Sequence, residues 1–343
     1  MRHIALISLL LGGIWLNAQN LTSYFDHKVF QVPDQGILLE TYVDIVGPSA
    51  VFIPKSDSTL QANIEVEMVI KEGSKTIDSS REIVLSPLTL PGYSPNFMYI
   101  NRFLLPKGNY TLELTMKDLN SDLPAISTVR NLDLDRATKD CRFSDIELIA
   151  GFRQAGADSK LAKSGLEFIP YLSNLYDRSF SEIIFYVELY NIDHELGDDV
   201  PFLFKYAIVD ANTEIPWSEC EVFKRKKTAQ VITELGRINI STLPSGLFDL
   251  VVEARNREDE LISKERIRIV RESDVVREYT DEEIDLTFVG DLNDKDSLIA
   301  FIECLTPIAG ERERAIIDYQ VKGFTLLECK SFFYSFWENR SLA

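Results

Sequence analysis

Residues able to perform acid–base or nucleophilic catalysis are few in this chain of 343 residues. It contains three histidines, His3, His27 and His194, and none of them lies in a recognisable catalytic motif. No Gly-x-Ser-x-Gly, His-Glu-x-x-His or phosphate-binding glycine loop occurs in the sequence. A Ser-His-Asp or Cys-His arrangement assembled from distant residues is the remaining alternative. We therefore predict no catalytic residues and a protein that is not an enzyme.

Carboxylates are abundant, and with 54 Asp and Glu residues no particular pair can be assigned to glycoside hydrolysis. Residues 193–199 gather four carboxylates, which indicates either a calcium site or a solvated hairpin tip. Residues 291–296 resemble the start of a calcium loop, but Lys295 occupies a ligand position. This run instead predicts an acidic helix start, where carboxylates favour the helix dipole. We predict no metal ion and no cofactor.

Four cysteines, Cys141, Cys220, Cys304 and Cys329, allow three complete disulfide pairings that the sequence does not rank. Their spacing lacks the pairs typical of a zinc site. Cys304 and Cys329 fall in one predicted helical segment. There they either form a disulfide that staples the segment or remain unpaired buried thiols.

A single dense basic run occurs in this acidic chain, at Lys224, Arg225, Lys226 and Lys227. It has two interpretations. One is a binding surface for an acidic partner or for phosphate groups of an envelope glycolipid. The other is an edge strand or loop that charge protects from aggregation.

A second unusual run is aromatic, with Phe332, Phe333, Tyr334, Phe336 and Trp337 inside six positions. In a helix these rings would point around most of the circumference, so one packing face cannot bury them all. Docking against the rest of the protein is one interpretation. Because aromatics are enriched at the cores of interfaces, we predict that this run binds a partner, with the basic run as a second partner-binding candidate.

Net charge and the N-terminus indicate the compartment. The formal charge is −18, so the protein would repel polyanions, and we predict no nucleic-acid partner. Residues 1–18 combine Arg2, an apolar run and Ala18, which predicts a signal peptide cleaved after Ala18. No later stretch is long and apolar enough for a transmembrane helix. We predict a secreted protein of the cell envelope, periplasmic or associated with the outer membrane.

An internal repeat indicates how the chain is organised. Residues 105–118 and 243–256 share the pattern Leu-Pro-x-Gly-x followed by an aromatic residue and alternating apolar positions, 138 residues apart. Pro and Gly predict a turn, and the alternation predicts a strand with one buried face. A weaker echo pairs residues 42–45 with 186–189, at an offset of 144. Two similar offsets favour a duplicated unit.

Short alternating strands fill both halves and predict two tandem immunoglobulin-like antiparallel β-sandwiches. We place the first at residues 19–135 and the second at 136–275. From 276 to 343 the apolar period becomes helical, with Leu298, Phe301, Ile302 and Leu305 on one face. Further helix is predicted from about Glu311 to Trp337, broken at Gly323. The predicted fold is therefore mainly β with a short α-helical C-terminal segment.

Three segments resemble the GWxTD-domain proteins exported by Bacteroidetes. They are residues 24–30 with 39–42, residues 185–191 (Phe-Tyr-Val-Glu-Leu-Tyr-Asn), and the helical end Phe336-Trp337-Glu338-Asn339-Arg340. The resemblance covers most of the chain, although the Gly-Trp-x-Thr-Asp signature itself is absent. It implies an exported protein with this layout of domains. It does not imply any particular chemical activity.

Taken together, the sequence predicts a non-enzymatic binding or scaffolding protein of the cell envelope that acts through protein–protein contacts. An outer-membrane complex is one candidate partner. A carbohydrate-binding module is an alternative, and Trp217 is the one tryptophan within the predicted sandwiches. A carboxylate-based hydrolase is the third.

Overall fold

A computed structural model describes residues 20–134, 141–156, 162–163, 165–273, 275, 277 and 279–341. The predicted signal peptide and the predicted boundary between residues 135 and 136 lie outside these residues. The described chain divides into two compact units. One holds residues 20–27 and 35–134, and the other holds Lys28–Asp34 and the described residues from 141 onward.

Unit 1 is built from strands because its apolar residues alternate. In the repeated segment, Tyr110, Leu112, Leu114 and Met116 are buried, as predicted, while the residues between them are not. Its strands form a three-stranded sheet ordered β1-β2-β7, a four-stranded sheet ordered β6-β5-β8-β9, and the short pair β3-β4. The strands are β1 (Ser23–Val32, of which residues 23–27 belong to unit 1), β2 (Gly36–Ile45), β3 (Ile53–Pro54), β4 (Leu60–Gln61), β5 (Asn63–Glu72), β6 (Lys75–Leu85), β7 (Phe97–Leu105), β8 (Asn109–Asp118) and β9 (Ile126–Asp133).

Unit 2 contains a second sandwich. In one sheet the central strand β14 pairs with β10, β11 and β17, and β12 pairs with β11; the other sheet has the order β13-β19-β18-β15-β16. Its elements are β10 (Arg142–Phe143), β11 (Glu147–Gln154), β12 (Leu166–Pro170), β13 (Leu175–Tyr176), β14 (Glu182–Tyr190), α1 (Ile192–Leu196), β15 (Pro201–Asp210), β16 (Pro216–Lys227), β17 (Val231–Asn239), β18 (Gly246–Arg255) and β19 (Leu261–Arg271).

The two sandwiches share one topology. In unit 1, β2 pairs with β7. In the other sheet, β5 pairs with β6 and β8, and β8 also pairs with β9. In unit 2, β14 pairs with β17. In the other sheet, β15 pairs with β16 and β18, and β18 also pairs with β19. The repeated Leu-Pro-x-Gly turn joins β7 to β8 and β17 to β18, so each copy connects two sheets. The prediction of tandem immunoglobulin-like sandwiches is confirmed.

Residues Lys28–Asp34 belong to unit 2 although they precede almost all of unit 1 in the sequence. The backbone N–H of Val29 donates to the Asp145 carboxylate at 2.8 Å, and that of Gln31 donates to the Tyr190 hydroxyl at 2.9 Å. The ammonium group of Lys163 lies 3.9 Å from the centre of the Phe30 ring. Specific polar and cation–π contacts therefore hold this segment in unit 2.

The C-terminal part of unit 2 is helical, as predicted. Its helices are α2 (Asp281–Asp285), α3 (Lys295–Glu303), α4 (Glu311–Tyr319) and α5 (Leu326–Ser341), with 3-10 turns at Thr306–Ile308 and Val321–Gly323. The break predicted at Gly323 is present. Within the described residues, none of the helices has both the length and the apolar content that crossing a membrane requires.

Candidate functional site

A buried ionic cluster fixes the helices to the second sandwich. Arg277 lies in the connection from β19 to α2, with its guanidinium 2.5 Å from the Asp210 carboxylate and 3.9 Å from that of Glu338 in α5. The Arg277 and Asp210 side chains are 4% and 1% exposed. A buried charge without a partner is strongly destabilising, so this cluster sets how α5 lies on the sandwich.

Neutral hydrogen-bonding groups complete the cluster. The side-chain amide of Asn212 donates to the Tyr334 hydroxyl at 3.0 Å and to Glu338 at 3.1 Å. The Tyr279 hydroxyl donates to the other Glu338 oxygen at 2.9 Å. Burial raises the pKa of Glu338, although Arg277 and the Tyr279 hydrogen bond act in the opposite direction.

Docking of α5 divides the five aromatic residues of the predicted binding run. Tyr334 and Phe336 are buried, at 4% and 2% exposed, and are therefore inaccessible to a partner in this conformation. Phe332 is half-buried and packs against the core that the helices form among themselves. Phe333 is half-buried, and Trp337 is 41% exposed. Of the five predicted residues, Phe332, Phe333 and Trp337 keep surface that a partner could reach.

Two further phenylalanines extend this surface, which we call the aromatic patch: Phe288, Phe301, Phe333 and Trp337. The Phe333 ring lies at its centre, with centroid distances of 6.3 Å to Phe288, 6.4 Å to Phe301 and 6.5 Å to Trp337. Phe288 is 60% exposed and Phe301 is 48% exposed. Four rings from three places in the chain therefore form one continuous, partly exposed apolar surface.

Local structure holds Phe288 in place. A capping box between Thr280 and Glu283 starts α2, and the chain turns back after it through buried Val289. At Gly290 an added Cβ would lie 2.5 Å from the Asp285 carbonyl oxygen, so this close turn needs glycine. The sequence signal that could have indicated Phe288 is this short capped helix followed by Gly290.

Phe301 departs from its predicted environment. Leu298, Ile302 and Leu305 are buried at 5% exposure or less, as expected for one face of α3. Phe301 is 48% exposed and lies at the margin of that face, with its ring 6.4 Å from the Phe333 ring of α5. Its outward part contributes to the aromatic patch.

Acidic side chains lie beside the aromatic patch. The Asp285 side chain is 69% exposed, and its carboxylate lies 3.9 Å from the ammonium group of Lys330. Lys330 precedes Phe333 by three residues on α5, which places Asp285 next to the patch. Asp281 and Glu282, in the same short helix as Asp285, are also exposed.

The basic run lies in β16, an edge strand of its sheet among the described residues. Lys224 and Lys226 both reach the buried carboxylate of Glu234 in β17, at 2.5 and 2.6 Å. Lys227 pairs with Asp199 at 2.8 Å, and Arg225 is exposed. Because three of the four cations have a carboxylate partner, the run offers much less free positive charge than its sequence suggests.

The other chemical candidates are dispersed. His27 lies in β1 with its ring 6.3 Å from that of Phe25. His194 is exposed on α1, which covers the first four residues of the acidic segment at 193–199. All four cysteines are free, with Cys304 exposed and the others buried. In the described part of the chain, no group of three or more His, Cys, Asp or Glu is arranged to hold a metal ion.

Comparisons with known proteins identify no family. No protein-family model matches the chain, and no curated protein matches it. The chain is similar to the fibronectin(III)-like modules of CbhA from Clostridium thermocellum, with 9% identity, a TM-score of 0.19, and coverage of 70% of this chain and 90% of that one. It is also similar to a glycosyl hydrolase family 2 member from Bacteroides cellulosilyticus DSM 14838, with 9% identity, a TM-score of 0.25, and coverage of 67% of this chain and 28% of that one.

Proposed function

We propose that this protein is a non-enzymatic binding or scaffolding protein of the cell envelope, and that the aromatic patch is its contact with a protein partner. One observation carries the proposal: Phe288, Phe301, Phe333 and Trp337 form a continuous surface whose rings remain partly exposed. Exposing such a surface to water is unfavourable, and contiguous exposed apolar patches mark interaction sites.

The ionic cluster under α5 supports this role. Arg277, Asp210 and Glu338 tie the helix that carries Phe333 and Trp337 to a rigid sandwich. Rings held in one orientation lose little conformational freedom when a partner binds, so more of the contact energy appears as affinity. The second sandwich then acts as the frame that presents the patch.

Export is part of the proposal. Its support is the signal-peptide pattern of residues 1–18, together with the resemblance to exported GWxTD-domain proteins. Fractionation of native cells, followed by sequencing of the mature N-terminus, would test it. We expect the protein in the envelope fraction with its chain beginning at Gln19; a cytoplasmic protein that begins at Met1 would contradict export.

Site-specific cross-linking tests the binding site. A photoreactive benzoylphenylalanine in place of Trp337, introduced in native cells, should cross-link to a partner that mass spectrometry identifies. The same group in place of Tyr319 is the control, because Tyr319 is the most exposed aromatic on the helices, at 86%, and lies outside the patch. A partner captured equally from both positions, or from neither, would contradict the proposal.

The carbohydrate-binding alternative obtains no support from the sandwich tryptophan. Trp217 packs edge-to-face against buried Phe248, at 6.2 Å, and the Arg277 guanidinium lies 5.5 Å from its ring centre. Both neighbours cover part of the half-buried ring and reduce the area that is free to stack on a sugar.

A further inference from the structure

We propose that the aromatic patch binds a cationic protein segment, in which Lys or Arg residues are interspersed with large apolar side chains. This inference rests on the proposed function and specifies the chemistry of the partner. It is argued from the charges that surround the patch and from those that the rest of the protein carries.

The helical region has a strong excess of negative charge. Residues 279–341 contain thirteen Asp and Glu residues against six Lys and Arg residues. Asp281, Glu282 and Asp285 of α2 are exposed, and the Asp285 carboxylate lies 3.9 Å from the ammonium group of Lys330 in α5. A partner that covers the rings therefore brings its own charges next to these carboxylates.

Three of the six cations of this region, Lys322, Lys330 and Arg340, contact polar groups of the protein itself. Lys330 is 7% exposed and donates to the Gly290 carbonyl at 2.7 Å and to the Asn293 side chain at 3.0 Å. Arg340 pairs with Glu313 at 2.7 Å, and Lys322 lies 3.4 Å from Glu303. Asp281 and Glu282 are exposed, and the excess of seven carboxylates over cations in residues 279–341 favours a cationic partner over an acidic one.

Other occupants of an apolar patch are disfavoured by charge. A second copy of the chain would bring another formal charge of −18 against the same acidic helices. An anionic lipid surface would be repelled for the same reason. A cationic segment is attracted by the field and can cover the rings with its apolar side chains, which supplies both electrostatic and shape complementarity.

The test uses a dye-labelled synthetic peptide in which lysine and phenylalanine alternate, added to the full protein and followed by fluorescence anisotropy. Two matched peptides carry glutamate in place of lysine, or serine in place of phenylalanine. We expect binding of the first peptide only. That binding should weaken as salt rises from about 50 mM to about 500 mM, because screening lengths shorten.

Protein variants locate the binding. Trp337→Ala and Phe288→Ala should each weaken peptide binding about tenfold, as expected for central aromatic contacts, whereas Tyr319→Ala should leave it unchanged. Asp285→Asn should weaken binding and reduce its salt dependence. Asp199→Asn is its control, since Asp199 is 74% exposed and also pairs with a lysine. Equal binding of the glutamate peptide, or equal losses in the control variants, would overturn the inference.

The two proposals fail in different ways. If a partner cross-links at position 337 through a segment that lacks Lys and Arg, the charge inference is overturned and the patch remains the binding site. If the lysine–phenylalanine peptide binds the patch but position 337 captures no protein in native cells, the cationic preference stands and the proposed function is contradicted.

Discussion

The guanidinium of Arg277 and the carboxylate of Asp210 lie 2.5 Å apart in a place where neither side chain reaches solvent. Asp210 ends β15 and also accepts backbone hydrogen bonds from Asn212 and Thr213, both at 2.9 Å. One ionic contact therefore links a sandwich turn, the connection to α2 and, through Glu338, the last helix.

Removing one member of this pair should be costly. Arg277→Met leaves Asp210 buried without its cation, and we expect a loss of about 3–5 kcal/mol in the free energy of unfolding. Trp217 and Trp337, the described tryptophans, both belong to unit 2, so tryptophan fluorescence in a denaturant titration follows this loss. Lys227→Met is the control: its pair with Asp199 is 65% and 74% exposed, and it should cost less than about 1 kcal/mol. Similar losses in both variants would contradict a special role for Arg277.

Two carboxyls of the helical region should respond to pH in opposite directions. Burial raises the pKa of Glu338 above 4.5, so folding takes up a proton there, and stability is gained as pH falls from neutral toward 4.5. The hydrogen bond from Arg340 lowers the pKa of Glu313, so its contribution is present above pH 4.5 and is lost as pH falls through the folded-state pKa.

The measurement compares the wild type with Glu338→Gln and Glu313→Gln in denaturant titrations between pH 7 and pH 4. Relative to Glu338→Gln, the wild type should gain stability on acidification. The wild type should be more stable than Glu313→Gln near neutral pH, and this difference in the free energy of unfolding should shrink at the acidic end of the range. Differences that stay constant with pH for both variants would show that neither carboxyl has a shifted pKa.

Gly236 should tolerate no side chain. A Cβ at this position in β17 would lie 2.2 Å from Cζ of the buried Phe185 ring, which covers the glycine from β14. Gly236→Ala should destabilise unit 2 by about 1–3 kcal/mol through overpacking. Gly151→Ala is a matched strand control, with its nearest neighbour at an ordinary 3.8 Å. Adding Phe185→Leu to Gly236→Ala should recover part of the loss; no recovery would assign the cost to the backbone instead.

The four thiols should differ in reactivity. Burial raises the pKa of Cys141 to about 12 and that of Cys220 to about 11, and Cys329 is also buried. Because the thiolate is the reactive form, a thiol reagent should label only exposed Cys304 in the reduced native protein, and all four after denaturation. Cys304→Ser should abolish native labelling. Labelling of a second cysteine under native conditions would contradict this packing.

The strands and helices could be predicted because their signals are local. The alternation that buries Tyr110, Leu112 and Leu114 is visible in ten residues, and the period that buries Leu298 and Ile302 is visible in eight. The two Leu-Pro-x-Gly turns indicate that the unit is duplicated, and a duplicated unit predicts that both sandwiches have the same topology. Each of these features depends on neighbours in sequence.

Only part of the candidate site could be predicted from the sequence, because the site depends on contacts between residues that are distant in the chain. Phe333 and Trp337 belong to a conspicuous run, but Phe288 and Phe301 join them only once α2 and α3 pack on α5. Likewise, Lys224 and Lys226 looked like free charge until β17 placed Glu234 opposite them. Nothing in the sequence near Tyr334 indicated that Asn212 would be its partner.

The early segment Lys28–Asp34 constrains how the protein can be made. Val29 is separated by 116 residues from the Asp145 that receives its N–H, and Gln31 by 159 residues from Tyr190. During synthesis this segment emerges long before Asp145 and Tyr190, so its contacts with unit 2 can form only after the residues of unit 1 have been made. The second sandwich is thus completed by a segment that precedes almost all of unit 1, so a chain that begins at residue 141 would lack residues that belong to its own unit.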